Sequence, residues 1–302
     1  MRQRTALTGA SLLVGVLMAG VAGRAGAWLA EYGIEGMHVV SSKADEMRAT
    51  IGPDGKRIVW GSRGRERDAG GRDLWQASLV DGRWQDPRPL ALNAASDEFD
   101  PMFSADGQWL YFVSDRDGGE GGDDLYRVAV HADGFGEPVN LGPGVNTAGN
   151  ERTPTPAPDG RRLMFASDGH GGAGGLDLFV ARLDRASFTG PRPVPGINTR
   201  ADESDAAWLG GTRAIVFARA DAKGDAAVRL QLARCDGTRY ADATPLALSF
   251  NTAGGTTFGP AIDWNKPGEL LVTGVAKAPR AGGLDIYRMK APAAEGKDGC
   301  VD

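Results

Sequence analysis

Short apolar bursts separated by turn signals set the rhythm of this chain, and residues 97–147 carry it most clearly. An extended run at 101–104 is followed by Ala105-Asp106-Gly107, and an Asp-Gly pair between apolar runs predicts a tight hairpin. Residues 109–113 (WLYFV) are aromatic and β-branched, the pattern of a buried strand. Residues 114–123 are rich in Gly and Asp and predict a loop. Residues 125–130 (LYRVAV) alternate and predict a third strand, Asp133-Gly134 a second tight turn, and residues 138–141 a weaker fourth strand. Four antiparallel strands in about 50 residues is the size of one β-propeller blade.

The same unit recurs along the chain. An Asn-like slot before each copy falls at Ser41, Asn93, Asn146, Asn198 and Asn251, spaced 52, 53, 52 and 53 residues. An acidic slot falls at Glu46, Glu98, Glu151 and Glu203, with Gly255 expected in the fifth copy. The hairpin glycine recurs at Gly55, Gly107, Gly160 and Gly211, and an aspartate opening the third strand at Asp73, Asp124, Asp177, Asp225 and Asp285. A fixed period of this size means repeats rather than two unrelated domains. The copies lie near 43–95, 96–148, 149–200, 201–253 and 254–290. The last ends after its third strand, and a fourth-strand segment precedes the first. The expected fold is therefore all-β: a single five-bladed propeller of four-stranded blades over residues 28–292, closed by an N-terminal strand, with six blades the alternative. Residues 37–42 are expected to pair beside 284–289, and 293–302 to form a short polar tail.

Composition changes the picture at the N-terminus. Residues 1–27 combine a basic start, an apolar stretch from Ala6 to Gly23 and a small-residue Ala25-Gly26-Ala27 end, the pattern of a secretory signal peptide; an uncleaved anchor is the other reading. Of 302 residues 34 are basic and 39 acidic; without residues 1–27 the balance is 31 to 39. Basic runs do not exceed two residues, so the electrostatic footprint of nucleic-acid binding is absent. Export makes the compartment periplasmic and oxidising, and Cys235 and Cys300, the two cysteines of the chain, are expected to form a disulfide.

The stretch FSADGQWLYFVSDR with GGDDLY resembles the WD40-like, P-D-G type of propeller repeat. That repeat is found in the periplasmic propeller protein of the Tol system and in propellers beside peptidoglycan-binding outer-membrane modules, and LGPGVNTAGNE (141–151) is especially similar to the second group. The resemblance covers about residues 38–290. It implies a propeller fold, and says little about function because propellers host binding and catalysis alike. Two departures matter: the Tol protein carries an extra N-terminal domain, whereas only about ten residues separate the expected cleavage site from the first repeat slot here, and it has six blades against five copies.

The loops joining strand four to the next strand one share a face with those joining strands two and three. Asp45, Glu46, Asp97, Glu98, Glu151, Asp202 and Glu203 are expected to ring the channel mouth on that face, with Asp100 and Asp205 two residues further in and Arg48, Arg63, Arg116, Arg152 and Arg219 nearby. Two readings follow. The ring forms a polar or cation-binding pocket, in which Glu46, Arg48, Glu98, Glu151, Arg152, Glu203 and Asp205 bind a ligand or partner. Alternatively each carboxylate accepts backbone hydrogen bonds or pairs with an arginine, and a residue repeated once per blade favours this second role, since one active site needs one set. Gly254-Gly255 are expected to leave a gap in the ring.

Other chemistry has weaker support. The loop 115–124 has the oxygen density of a calcium site without EF-hand spacing. His38, His131 and His170 fall on different features, so no metal site is assigned. There is no G-x-S-x-G elbow, and Ser62, Ser114 and Ser167 recur at one slot as structure would. The leading expectation is a monomeric, non-enzymatic periplasmic binding or scaffold module for an envelope protein or cell-wall-associated partner, without cofactor or nucleic acid. The alternative is a carbohydrate-active enzyme using top-face carboxylates, with or without calcium.

Overall fold

A computed structural model describes residues 31–221 and 227–301. The expected signal peptide and Asp225 lie outside the described residues. Among those residues there is no helix, and hence none long and apolar enough to cross a membrane. Twenty strands form five four-stranded antiparallel sheets. Blade one holds β2 (Asp45–Ile51), β3 (Arg57–Arg63), β4 (Asp73–Val80) and β5 (Arg83–Pro89). Blade two holds β6 (Glu98–Phe103), β7 (Trp109–Ser114), β8 (Asp124–Ala129) and the short β9 (Val139–Asn140). Blade three holds β10 (Glu151–Pro156), β11 (Arg162–Ser167), β12 (Asp177–Asp184) and β13 (Ser187–Pro193). Blade four holds β14 (Glu203–Leu209), β15 (Ala214–Ala220), β16 (Val228–Cys235) and β17 (Tyr240–Pro245). Blade five takes β18 (Thr257–Ile262), β19 (Glu269–Gly274) and β20 (Asp285–Lys290) from the C-terminal end and β1 (Glu31–Ile34) from the N-terminal end. The chain is a five-bladed β-propeller.

The core sits between blades. On β7, Leu110 and Phe112 enter the cluster shared with blade one, while Tyr111 and Val113 enter the cluster shared with blade three. Successive strand side chains point to opposite faces, so one strand serves two interfaces. Inner strands are buried on both faces, and all six residues of β6 are out of solvent. The hairpins between strands one and two turn on Gly55, Gly107 and Gly160, with φ of 71°, 69° and 67°, a conformation other residues adopt only with strain.

The Asn-like slot is a clamp. The amides of Asn93, Asn146, Asn198 and Asn251 each bond both the N–H and the C=O of a third-strand residue: Leu74, Leu125, Leu178 and Leu230 respectively. Ser41 does the same to Ile286 through its hydroxyl. This corrects the expected closure. The N-terminus does complete the last blade, but the pairing strand is β1, with Gly33 opposite Arg288 and Ile34 opposite Tyr287; residues 37–41 form a turn that delivers Ser41. The repeat register marks the clamp, and the strand lies upstream of it. Arg288 ties the seam, bonding Glu35, Asp263 and Glu269.

The tail is held too. Cys235, at the end of β16, is bonded to Cys300 with Cα atoms 5.9 Å apart. Lys297 N–H also donates to the Cys235 carbonyl.

Candidate functional site

The glutamates of the acidic slot do not ring the channel mouth. Glu46, Glu98, Glu151 and Glu203 are fully buried. Each carboxylate closes the connection that precedes it. Glu98 accepts from Ala94 N–H (2.7 Å), Ser96 Oγ (2.6 Å), Ser114 Oγ (2.9 Å) and Arg116 (3.0 Å). Glu203 accepts from the Thr199 N–H and hydroxyl and from Arg219 (2.7 Å). Glu46 takes Ser42 and Arg65, so Arg65 fills the position expected of Arg63. Glu151 takes Thr147 and Ser167. Burial pushes the Glu46 and Glu151 carboxyls up from their ordinary range, and these hydrogen bonds oppose that push.

The basic partners complete the same motif. Arg65, Arg116 and Arg219 also donate to the carbonyl just before the clamp residue, at Val40, Leu92 and Ile197. In blade three the His170 ring meets Val145 O at 2.7 Å in the same role. Arg152 and Asp123 form an ion pair, as do Arg72 and Asp97. In the oxygen-rich loop 115–124, Asp115 accepts from Asp97 N–H and Asp124 from Glu120 N–H and Asn140, so those oxygens hold the loop together. The expected gap at Gly254-Gly255 is also corrected. The slot in blade five is Thr257, buried and donating to Phe250 O at 3.1 Å; one extra residue between clamp and strand shifted the count.

Two residues beyond each slot the inner strand breaks register. The breaks fall between Met47 and Ala49, Phe99 and Met102, Arg152 and Thr155, Ser204 and Ala207, and Phe258 and Ala261. The residue inside each break has positive φ: Arg48 (34°), Asp100 (52°), Thr153 (54°), Asp205 (45°) and Gly259 (60°). A bulge re-aims its side chain, and non-glycine residues are held in this region only where the surroundings fix them. The backbone geometry recurs in all five blades, but the residue type does not: it is Arg, Asp, Thr, Asp and Gly in turn.

Arg48 shows where these side chains go. From blade one its Nη2 donates to Thr155 Oγ1 (2.6 Å) and Pro154 O (3.3 Å) in blade three, and its Nη1 lies 3.6 Å from Asp205 Oδ1 in blade four. Neither blade neighbours blade one, so the guanidinium spans the axis. It is fully buried, and Asp100 and Asp205 are each 7% exposed. Among the described residues Arg48 Nε and Nη1 and Asp205 Oδ1 have no hydrogen-bond partner. Ser204 Oγ donates to Asp205 at 2.9 Å, and the Asp205 N–H donates to Thr153 Oγ1 at 3.2 Å. Gly259 leaves room for Arg48: a Cβ there would stand 3.2 Å from the Arg48 Cα and Cβ.

Burial, and then repulsion from Asp205, pushes the Asp100 carboxyl up to about 7, against the pull of Arg48, Arg72 and Arg152. Burial also raises Asp205, with Arg48 opposing it. One arginine faces two carboxylates, so the axis carries a carboxyl that is only partly ionised at neutral pH. Of the expected site residues, the structure brings Arg48 and Asp205 together with Asp100, leaves Arg152 paired near them, and turns the four glutamates into supports. Thr153 and Gly259 were missed. The position two beyond the slot marks them in retrospect, and Pro101, Pro154 and Pro260 directly follow three of the five.

This is a β-propeller with a polar axial cluster, and known structures share its form. No protein-family profile and no curated protein matches the chain. A putative TolB from Agrobacterium tumefaciens is 19% identical, covering 82% of this chain and 74% of that one with a TM-score of 0.50. TolB from Acinetobacter baumannii is 14% identical, covering 84% and 56% with a TM-score of 0.51. An α-L-arabinofuranosidase from Podospora anserina in complex with cellotriose is 12% identical, covering 88% and 98% with a TM-score of 0.56. At these identities the likeness is one of fold.

Proposed function

We propose that this chain is an exported, periplasmic propeller that binds an envelope protein or cell-wall-associated partner through its Asp–Glu face, without catalysis and as a monomer. The observation that carries the reading is the axial cluster. One bulge position holds Arg48, Asp100, Thr153, Asp205 and Gly259, and among the described residues Arg48 Nε has no hydrogen-bond partner while Arg48 Nη1 and Asp205 Oδ1 meet only as an ion pair at 3.6 Å. Such groups are costly to keep unless something uses them. Fold similarity to TolB propellers agrees with a binding role.

A second reading has its own support. Asp100 and Asp205 are neighbouring carboxyls that burial raises, Asp100 to about 7, and glycoside hydrolysis uses pairs of carboxyls of which one holds its proton. The fold likeness to the arabinofuranosidase agrees with it. Against it, Arg48 is fully buried 3.6 Å from Asp205 and the two aspartates are each 7% exposed, so hydrolysis would require the cluster to open around a sugar ring. The test is a paired assay of Asp100→Asn, Asp205→Asn and their combination. A binding module loses partner affinity in the double variant and shows no hydrolysis of aryl glycosides in the parent. Turnover in the parent that vanishes in either single variant would replace the binding reading with the enzymatic one.

A further inference from the structure

A pocket of about 160 Å³ opens on the outer edge of blade three, where that blade meets the C-terminal tail. Sites for drug-sized ligands begin at roughly 300 Å³, so this one takes a single small group.

Local structure places two guanidinium groups there. β12 and β13 pair with Arg192 opposite Val180 and Arg182 opposite Thr189. Side chains two apart on a strand share a face, so Val180, Arg182 and Arg192 stand on the same one. Arg162, on β11, lies directly opposite Arg182 and pairs with Asp159 at 3.4 Å. Like charges set across from one another destabilise a sheet unless an opposite charge offsets them. Asp159 offsets Arg162. Among the described residues nothing offsets the other two: neither the Arg182 nor the Arg192 guanidinium makes a hydrogen bond, ion pair or ring contact, Asp184 further along β12 pairs with neither, and no carboxylate lines the pocket.

The rest of the wall is fixed in place. Cys300 and Val301 contribute to it, and Cys300 is bonded to Cys235. Cys235 pairs with Tyr240, whose N–H donates to Pro195 O at 2.9 Å, and Pro195 is itself part of the lining. Disulfide, strand pair and hydrogen bond tie the tail, blade four and blade three into one frame around the pocket. A preorganised wall lowers the cost of binding.

Two unpaired guanidiniums with no acid beside them select an anion. Each presents its donors in a planar fork that matches the oxygens of phosphate or carboxylate. Together they match the charge of a phosphate monoester, about −1.5 to −2 at neutral pH, better than the single charge of a carboxylate. We propose that this pocket is a phosphate-binding site, for the free ion or for the terminal phosphate of a larger molecule. It is built on outer strands, whereas the axial cluster stands on inner ones, and it does not depend on what that cluster binds.

The test titrates the full chain, labelled with ¹⁵N, with inorganic phosphate at low ionic strength and follows the Val301 amide. Phosphate should shift that resonance saturably, acetate should bind more weakly, and chloride at equal ionic strength should not reproduce the shift. Arg182→Gln with Arg192→Gln, both at exposed positions, should weaken phosphate binding by about tenfold or more. Arg161→Gln with Arg185→Gln removes the same charge from exposed positions of blade three outside the pocket and should leave binding unchanged. Glycerol 1-phosphate binding as tightly as phosphate upholds the site as a reader of terminal phosphates; weaker binding of the ester upholds it as a site for the free ion. The proposal is overturned if phosphate leaves the Val301 amide unmoved, if chloride moves it equally, or if the two double variants weaken binding alike.

Discussion

The axial cluster makes a quantitative prediction through Asp100. In the folded chain its carboxyl is raised from 3.8 to about 7. A carboxyl raised on folding keeps a proton that the unfolded chain releases. Its contribution is therefore fully present below about pH 4 and is lost as pH rises toward about pH 7. Three pH units at roughly 1.4 kcal/mol each give a ceiling on the order of 4 kcal/mol, shared with Asp205 because the two titrate together. Asp100→Asn keeps the shape and removes the charge. It should match the parent near pH 4 and exceed it near pH 8 by up to that amount. For a domain of this size that is about 2–4 °C in Tm per kcal/mol. Urea unfolding of both proteins across this pH range reads it directly. Parallel pH profiles, or a variant that is less stable at high pH, would refute the assignment of an uncompensated carboxyl to the axis.

Other outcomes follow from the same contacts. Replacing Cys235 and Cys300 by Ala removes a cross-link over 65 residues and should cost about 4 kcal/mol in denaturant titrations, by the loop-entropy relation. Glu98→Gln disturbs a buried carboxylate with four donors; it should lower stability by about 2 kcal/mol while leaving partner affinity intact, because the residue faces the loop and not the channel. Deleting residues 31–43 removes β1 and the Ser41 clamp. Unfolding should then lose its single transition, with blade five opening first in hydrogen exchange; a cooperative, parent-like transition would deny that the ends are coupled.

Much of the fold is legible in the chain because each repeated slot has one mechanical task. The Asn of each copy must satisfy both backbone groups of a third-strand residue, so its spacing is the blade period. Ser41 keeps that task with a hydroxyl, which is why the first interval still counts out. The site is less legible. Glu46, Glu98, Glu151 and Glu203 look like a ring of charge, yet the hydroxyls and arginines that consume them sit at sequence distances of 2 to 19 residues and become partners only in the folded blade. The bulge that turns Arg48 across the axis has no residue signature of its own, since Arg, Asp, Thr and Gly all occupy it. The blade-three pocket is hidden for another reason: Arg182, Arg192 and Cys300 share no repeat position, and only strand pairing and the disulfide bring them together.

The central claim, that partners meet the Asp–Glu face and engage the axis, is tested most directly by site-specific photo-crosslinking of the exported chain. One photoreactive residue replaces Glu120, exposed on a loop of that face, and another replaces Asp159, exposed in a hairpin of the opposite face. The account predicts a discrete adduct from position 120, lost when Asp100 and Asp205 are both changed to Asn, and none from position 159. An adduct from position 159 alone, or one from position 120 that survives the double change undiminished, would contradict it.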